Sequence, residues 1–169
     1  MRATAEIEIG ASAAQIWEEV ANPSRYLDFM SGVTRWEVVS EARTGVGARY
    51  RMLLRIGSAE VGGLIEVVES VEPTDLAWVS VTGVDQRGRW RLRERSGAGP
   101  GGPRTRVELR LAYGVAGAGI SGWLAEQIAA PSVRGHLRRS LWQLKRQVEH
   151  EQLRTQAAER RRVRAGGGV

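Results

Sequence analysis

Hydrophobic and polar positions alternate with a period of two along most of the first 113 residues, the pattern of strands with one buried face. From Thr4 to Ile9, Ala5, Ile7 and Ile9 fall on one side and Glu6 and Glu8 on the other. Thr34, Trp36 and Val38 alternate with Arg35 and Glu37, and Ala48, Tyr50, Met52, Leu54 and Ile56 with Arg49, Arg51 and Arg55. Val61, Gly63, Ile65 and Val67 alternate with Glu60 and Glu66, and Leu76–Thr82 follows a Pro73-Thr74-Asp75 turn. Gly88, Trp90 and Leu92 interleave with Arg87, Arg89, Arg91 and Arg93. Thr105, Val107, Leu109, Leu111 and Tyr113 interleave with Arg106, Glu108 and Arg110. Glycine turns at 45–47 and 57–58 and a Gly/Pro stretch at 96–103 separate these runs. The spacing predicts about seven strands in one antiparallel sheet.

Two interruptions have helical character. Ser12 with Gln15 three residues on is a capping box, and Ile16, Trp17 and Val20 form the apolar face of the helix it opens, which Asn22-Pro23 ends. Ser24–Phe29 predicts a second short helix that offers Tyr26, Leu27 and Phe29 for burial. From about Gly117 the period changes: Ile120, Leu124 and Ile128, then Val133, Leu137, Leu141, Leu144 and Val148, mark a long amphipathic helix. Pro131 lies inside it and is expected to bend or divide it.

Composition adds limits. Cysteine is absent, which removes disulfides and thiolate chemistry. Residues 1–10 lack the apolar run of a signal peptide, and no stretch approaches the roughly 18 apolar residues of a membrane span, so a cytoplasmic location is expected. The net charge of +6 is unevenly placed. Residues 134–164 hold 10 basic and 3 acidic residues (+7), and the remainder holds 15 and 16 (−1). Residues 1–152 are expected to form one domain, and 153–169 a basic, disordered tail. The tail can make weak contact with acidic surfaces; specific nucleic-acid binding is not expected, because the aromatics alternate away from the arginine-rich sheet face. Oligomeric state is not legible.

The order strand, two short helices, six strands, long helix resembles the START/SRPBCC superfamily, whose members include polyketide cyclase/dehydrase-like proteins and the birch-pollen allergens. Three local motifs carry the resemblance. Ala11-Ser12-Ala13-Ala14-Gln15-Ile16-Trp17 with Asn22-Pro23-Ser24-Arg25-Tyr26 is similar to the family's opening. Thr44-Gly45-Val46-Gly47-Ala48-Arg49 is similar to its hairpin, and Leu137–Val148 to its closing helix. Phe29 stands where a tryptophan is usual. The resemblance covers about residues 3–150 and implies an α+β helix-grip fold: a curved antiparallel sheet wrapped around the C-terminal helix, with an apolar cavity between them. Such motifs specify fold better than chemistry.

The candidate ligand-binding residues on the inward faces are Trp36, Tyr50, Met52, Ile65, Trp78, Trp90, Tyr113, Leu124 and Ile128. Rigid aromatic walls with polar edges suit flat apolar ligands, although the same residues would serve as plain core. No catalytic constellation is legible. His136 sits beside the helix stripe and reads as a flank residue, and His150 lies near the helix end. Two isolated histidines without cysteine give no metal site, and nothing calls for a cofactor. Arg25 and Asp28 read as a surface pair, and Glu6 and Glu8 as partners of Arg106 and Arg110 across the sheet. The expected function is binding or carriage of a small hydrophobic ligand such as a lipid, quinone or polyketide. The alternatives are a polyketide cyclase/aromatase, with Tyr50 and Tyr113 as donors, and an interaction protein using its basic C-terminal helix.

Overall fold

The computed structural model describes residues 2–95, 102–114 and 119–166, with side chains described for all of these except 119–130 and 164–166. Seven strands form one wholly antiparallel sheet: β1 (Arg2–Ile9), β2 (Val33–Val38), β3 (Arg49–Ile56), β4 (Ala59–Val71), β5 (Asp75–Gly83), β6 (Asp85–Arg95) and β7 (Arg104–Gly114). Their order is β1-β7-β6-β5-β4-β3-β2, so β2 to β7 each neighbour the next in sequence and the chain's first strand pairs with its last. Between β1 and β2 lie α1 (Ala13–Val20), a 3-10 turn (Pro23–Arg25) and α2 (Tyr26–Phe29); α3 (Gly119–Gly166) closes the fold. This is the helix-grip architecture.

The expected local devices are present. Ser12 caps α1 by accepting from the Gln15 backbone, and the Gln15 side chain accepts from the Ser12 backbone. Ile16, Trp17 and Val20 are buried beneath it. Val133, Leu137, Leu141, Leu144 and Val148 enter the core, which binds this part of α3 to the concave face of the sheet. The expected division at Pro131 does not occur: α3 is one element with the proline inside. Proline's fixed φ of about −65° is itself helical, so the loss of one donor does not by itself end the element. The helix also continues past residue 152, and every side chain from 153 to 163 is exposed.

Three register shifts adjust the sheet, one between β2 and β3 at Thr34 and two between β4 and β5. Pairing slips between Leu64 and Ile65 opposite Val81, and between Val67 and Glu69 at Val68. The extra valines turn outward, which accounts for two exposed apolar residues in strand interiors. Near the Val81 bulge the backbones of Gly62, Gly63 and Gly83 approach so closely that a Cβ would stand 2.0–2.1 Å from a neighbouring carbonyl oxygen. A side chain there would push the strands apart, so the bend of the sheet depends on glycine.

Candidate functional site

Among the described residues, two apolar voids of about 40 Å³ each lie between the concave face of the sheet and α3. They adjoin, sharing Met52, Leu54, Gln86, Leu111 and Val133 as walls. Trp36, Trp78 and Met30 close the first, and Tyr113, Ile56 and Val61 the second. Each has room for a few waters but lacks the polar partners that would hold them.

Of the residues expected to bind ligand, the structure brings Trp36, Met52, Trp78 and Tyr113 to the voids. It places Tyr50, Ile65 and Trp90 behind them. Trp90 is fully buried and donates from Nε1 to the Tyr26 hydroxyl (3.1 Å), which donates to the Val20 carbonyl (2.6 Å). That relay engages the polar atoms of both rings, and burial pushes the Tyr26 hydroxyl above its usual range. Tyr50 donates to the Arg43 carbonyl (2.9 Å) and stacks on Trp36 at 5.2 Å, so its hydroxyl is engaged away from the cavity. Leu124 and Ile128 lie outside the residues with described side chains.

The polar groups of the cavity are few. The buried indole N–H groups of Trp36 and Trp78 have no hydrogen-bond partner among the described residues. Both rings are held firmly. Trp36 stacks on Tyr26 at 4.2 Å, and Trp78 lies over Gly88, where a Cβ would come within 1.9 Å of its ring. An orphaned buried donor costs about 1–3 kcal/mol, and these two border one apolar space. Gln86, buried on β6, places its amide against the Met52 sulfur (3.3 Å). Sequence reasoning had no means of finding the orphaned donors, since alternation shows which way a residue points and not which partner it lacks.

At the first void's rim stands a polar cluster that alternation also missed. His136 Nδ1 lies 3.2 Å from Ser31 Oγ and 3.1 Å from the Arg139 guanidinium. Arg139 Nε also donates to Ser31 Oγ (3.1 Å), and the Ser31 backbone donates to Ser140 Oγ (2.9 Å). The imidazole packs over Gly32, leaving no space for a Cβ there. Burial and then the Arg139 charge hold His136 below the usual histidine range, against a backbone hydrogen bond to Arg55. It therefore sits as a neutral ring clipping α3 to the loop before β2, as part of the cavity wall rather than a flank residue.

The outer face of the sheet is an ion-pair lattice. Arg106 pairs with Glu6 as expected, whereas Arg110 pairs with Glu108 on its own strand, and Glu8 with Arg104 and Arg95. Asp75 gathers Arg89, Arg91 and Arg93 at 2.8–3.2 Å. Burial works to raise its pKa, but the three guanidinium groups prevail and hold the carboxyl below its usual range. Arg25 does not pair with Asp28. It reaches Glu19 (3.0 Å) and Glu151 (2.8 Å), and with Gln147, which donates to Glu19, it ties α1 to α3. No helix among the described residues is long and apolar enough to cross a membrane.

An antiparallel sheet gripping a terminal helix over an apolar cavity defines the START-like class of helix-grip proteins. The chain belongs to the family described as polyketide cyclase/dehydrase and lipid transport, whose model matches residues 1–149. Among solved structures it is similar to the Thermus thermophilus protein TTHA0849, with a TM-score of 0.69 and 21% identity over 89% of this chain and 99% of that one. It is similar also to the Zhui aromatase/cyclase of Streptomyces sp. R1128, with a TM-score of 0.70 and 20% identity over 100% and 99% of the two chains. A START superfamily protein of Mycobacterium smegmatis follows the same fold, with a TM-score of 0.62 and 16% identity over 88% and 97%. A search of curated proteins finds no match. At these identities the structural likeness establishes the fold.

Proposed function

We propose that the protein binds a small, flat hydrophobic molecule carrying hydrogen-bond acceptors, of quinone, polyketide or lipid-carbonyl type, in the cavity between the sheet and α3. The observation that carries this reading is the pair of unpartnered indole donors, Trp36 and Trp78, on the wall of an apolar space. A ligand acceptor that reaches either N–H as the cavity widens would satisfy it, and the apolar walls would take the ligand body. Ligand sites typically span roughly 300–1,000 Å³. The voids must therefore merge and widen on binding, and Met30 and Met52 are the unbranched wall residues suited to that adjustment.

Native mass spectrometry of freshly purified protein tests the reading. A small-molecule adduct that leaves on mild activation, and that 1,4-naphthoquinone displaces, is the expected result. Protein free of adduct whose tryptophan emission ignores 1,4-naphthoquinone would count against a ligand site. A second reading, cyclisation of a poly-keto ligand, looks to His136 on the cavity wall, whose Nδ1 would have to leave Arg139 and Ser31 before it could take a proton. It requires product formation that His136→Gln abolishes while ligand binding persists.

A further inference from the structure

The core-facing stripe of α3, from Val133 to Val148, leaves the opposite side of the helix to solvent. That side is not uniformly polar. Trp142 is 60% exposed, Leu153 64% and Val163 75%. Trp142 follows the buried Leu141 directly, which turns it about 100° away from the core. At 100° per residue the intervals of 11 and 10 residues put Leu153 about 20° to one side of Trp142 and Val163 about 60° to the other, within one sector of about 80°. Exposed Arg138, Arg146 and Arg160 lie along the same face, with Arg154 and Arg161 on its flank. Residues 134–163 hold nine basic and three acidic side chains. Two of those acids are paired within the chain, Glu149 with the Gly10 backbone and Lys145, and Glu151 with Arg25. Lys145 in turn stands 5.9 Å from the Trp142 ring centroid.

We propose that this outer face of α3, from Arg138 to Val163, docks on an anionic lipid surface. The tryptophan, leucine and valine would enter the interfacial layer, and the arginines would meet the headgroup phosphates. The charge selects an anionic partner. The apolar residues select a bilayer over a nucleic acid, because a phosphate backbone would use the arginines and leave the apolar side chains idle. A helix face that mixes arginines with an exposed tryptophan fits the boundary between headgroups and acyl chains, where aromatic rings and basic side chains both sit. Over this span the helix is about 38 Å long, so it would lie along the surface.

Co-sedimentation of the full chain with vesicles tests the proposal. Binding is expected to vesicles of mixed phosphatidylcholine and phosphatidylserine but not to phosphatidylcholine alone, to weaken in high salt, and to blue-shift tryptophan emission. Arg146→Gln with Arg160→Gln should weaken partition about thirtyfold. Trp142→Ala should weaken it and abolish the blue shift. All three side chains are exposed, so circular dichroism should be unchanged, and that measurement separates lost docking from lost folding. The proposal is overturned by equal binding to both vesicle types, by no binding to either, or by binding that Trp142→Ala leaves intact. Binding of RNA in place of vesicles, or a dimer that Trp142→Ala dissociates, would likewise assign the face to another partner and overturn it.

Discussion

Replacing Val133 by isoleucine adds one methylene at a wall shared by both voids, at a position that is 1% exposed. In a helix the two side chains favour the same χ1 rotamer, so the exchange tests space and little else. A buried methylene entering empty volume contributes about 0.8 kcal/mol. The same methylene forced into filled core costs about 1–3 kcal/mol. The two cases thus differ in sign. For a chain of this length each kcal/mol moves Tm by about 2–4 °C, so Val133→Ile should raise Tm by about 2–3 °C. The added group occupies ligand space, so quenching by 1,4-naphthoquinone should weaken in the same variant. Thermal unfolding followed by circular dichroism, with the fluorescence titration beside it, reads both effects. A Tm lowered by several degrees with quenching intact would refute the reasoning, since it would mean that Val133 faces filled core and the ligand binds elsewhere.

Other outcomes follow from the polar network. Tyr26→Phe should destabilise by about 1–3 kcal/mol in denaturant titration, because it strands Trp90 Nε1 and the Val20 carbonyl in the core. His136 has a folded pKa below its unfolded value near 6.5, so the unfolded state binds the extra proton first. Its contribution is complete above that pH and is lost as pH falls through the folded pKa; His136→Gln should flatten this part of the stability–pH curve. Asp75 is likewise depressed, so its contribution is present above its usual 3.8 and fades as pH falls below it. Asp75→Asn should cost about 1–2 kcal/mol at neutral pH, discounted because its arginine partners are a third to a half exposed, and should remove that acid sensitivity.

The strands and α1 were legible because one-sided burial imposes a period of two and because a capping box is a local device that Ser12 and Gln15 complete alone. The helix-grip order followed from the same local patterns and from the resemblance they carry. What escaped the sequence depends on distant partners. Glu19, Gln147 and Glu151 meet around Arg25 only after α3 folds back, and Asp75 meets three arginines only through the β5–β6 register. The bulges at Val68 and Val81 follow from sheet curvature, which alternation does not encode. Tyr50 and Trp90 point inward as read, but depth along the sheet decides whether an inward ring meets a void or a neighbour. Pro131 does not divide the helix, because a helical φ is compatible with proline.

The most direct test of the ligand reading observes the two donors themselves. In a ¹⁵N–¹H correlation spectrum the six tryptophans give separate indole resonances, assignable by Trp→Phe substitution. Titration with 1,4-naphthoquinone should move the Trp36 and Trp78 indole protons downfield, as expected for new hydrogen bonds, while Trp90, already bonded to Tyr26, stays in place. Naphthalene, which has the same rings without acceptors, should leave both without a downfield shift. Unmoved Trp36 and Trp78 resonances at saturating quinone, or equal shifts with naphthalene, would contradict the account.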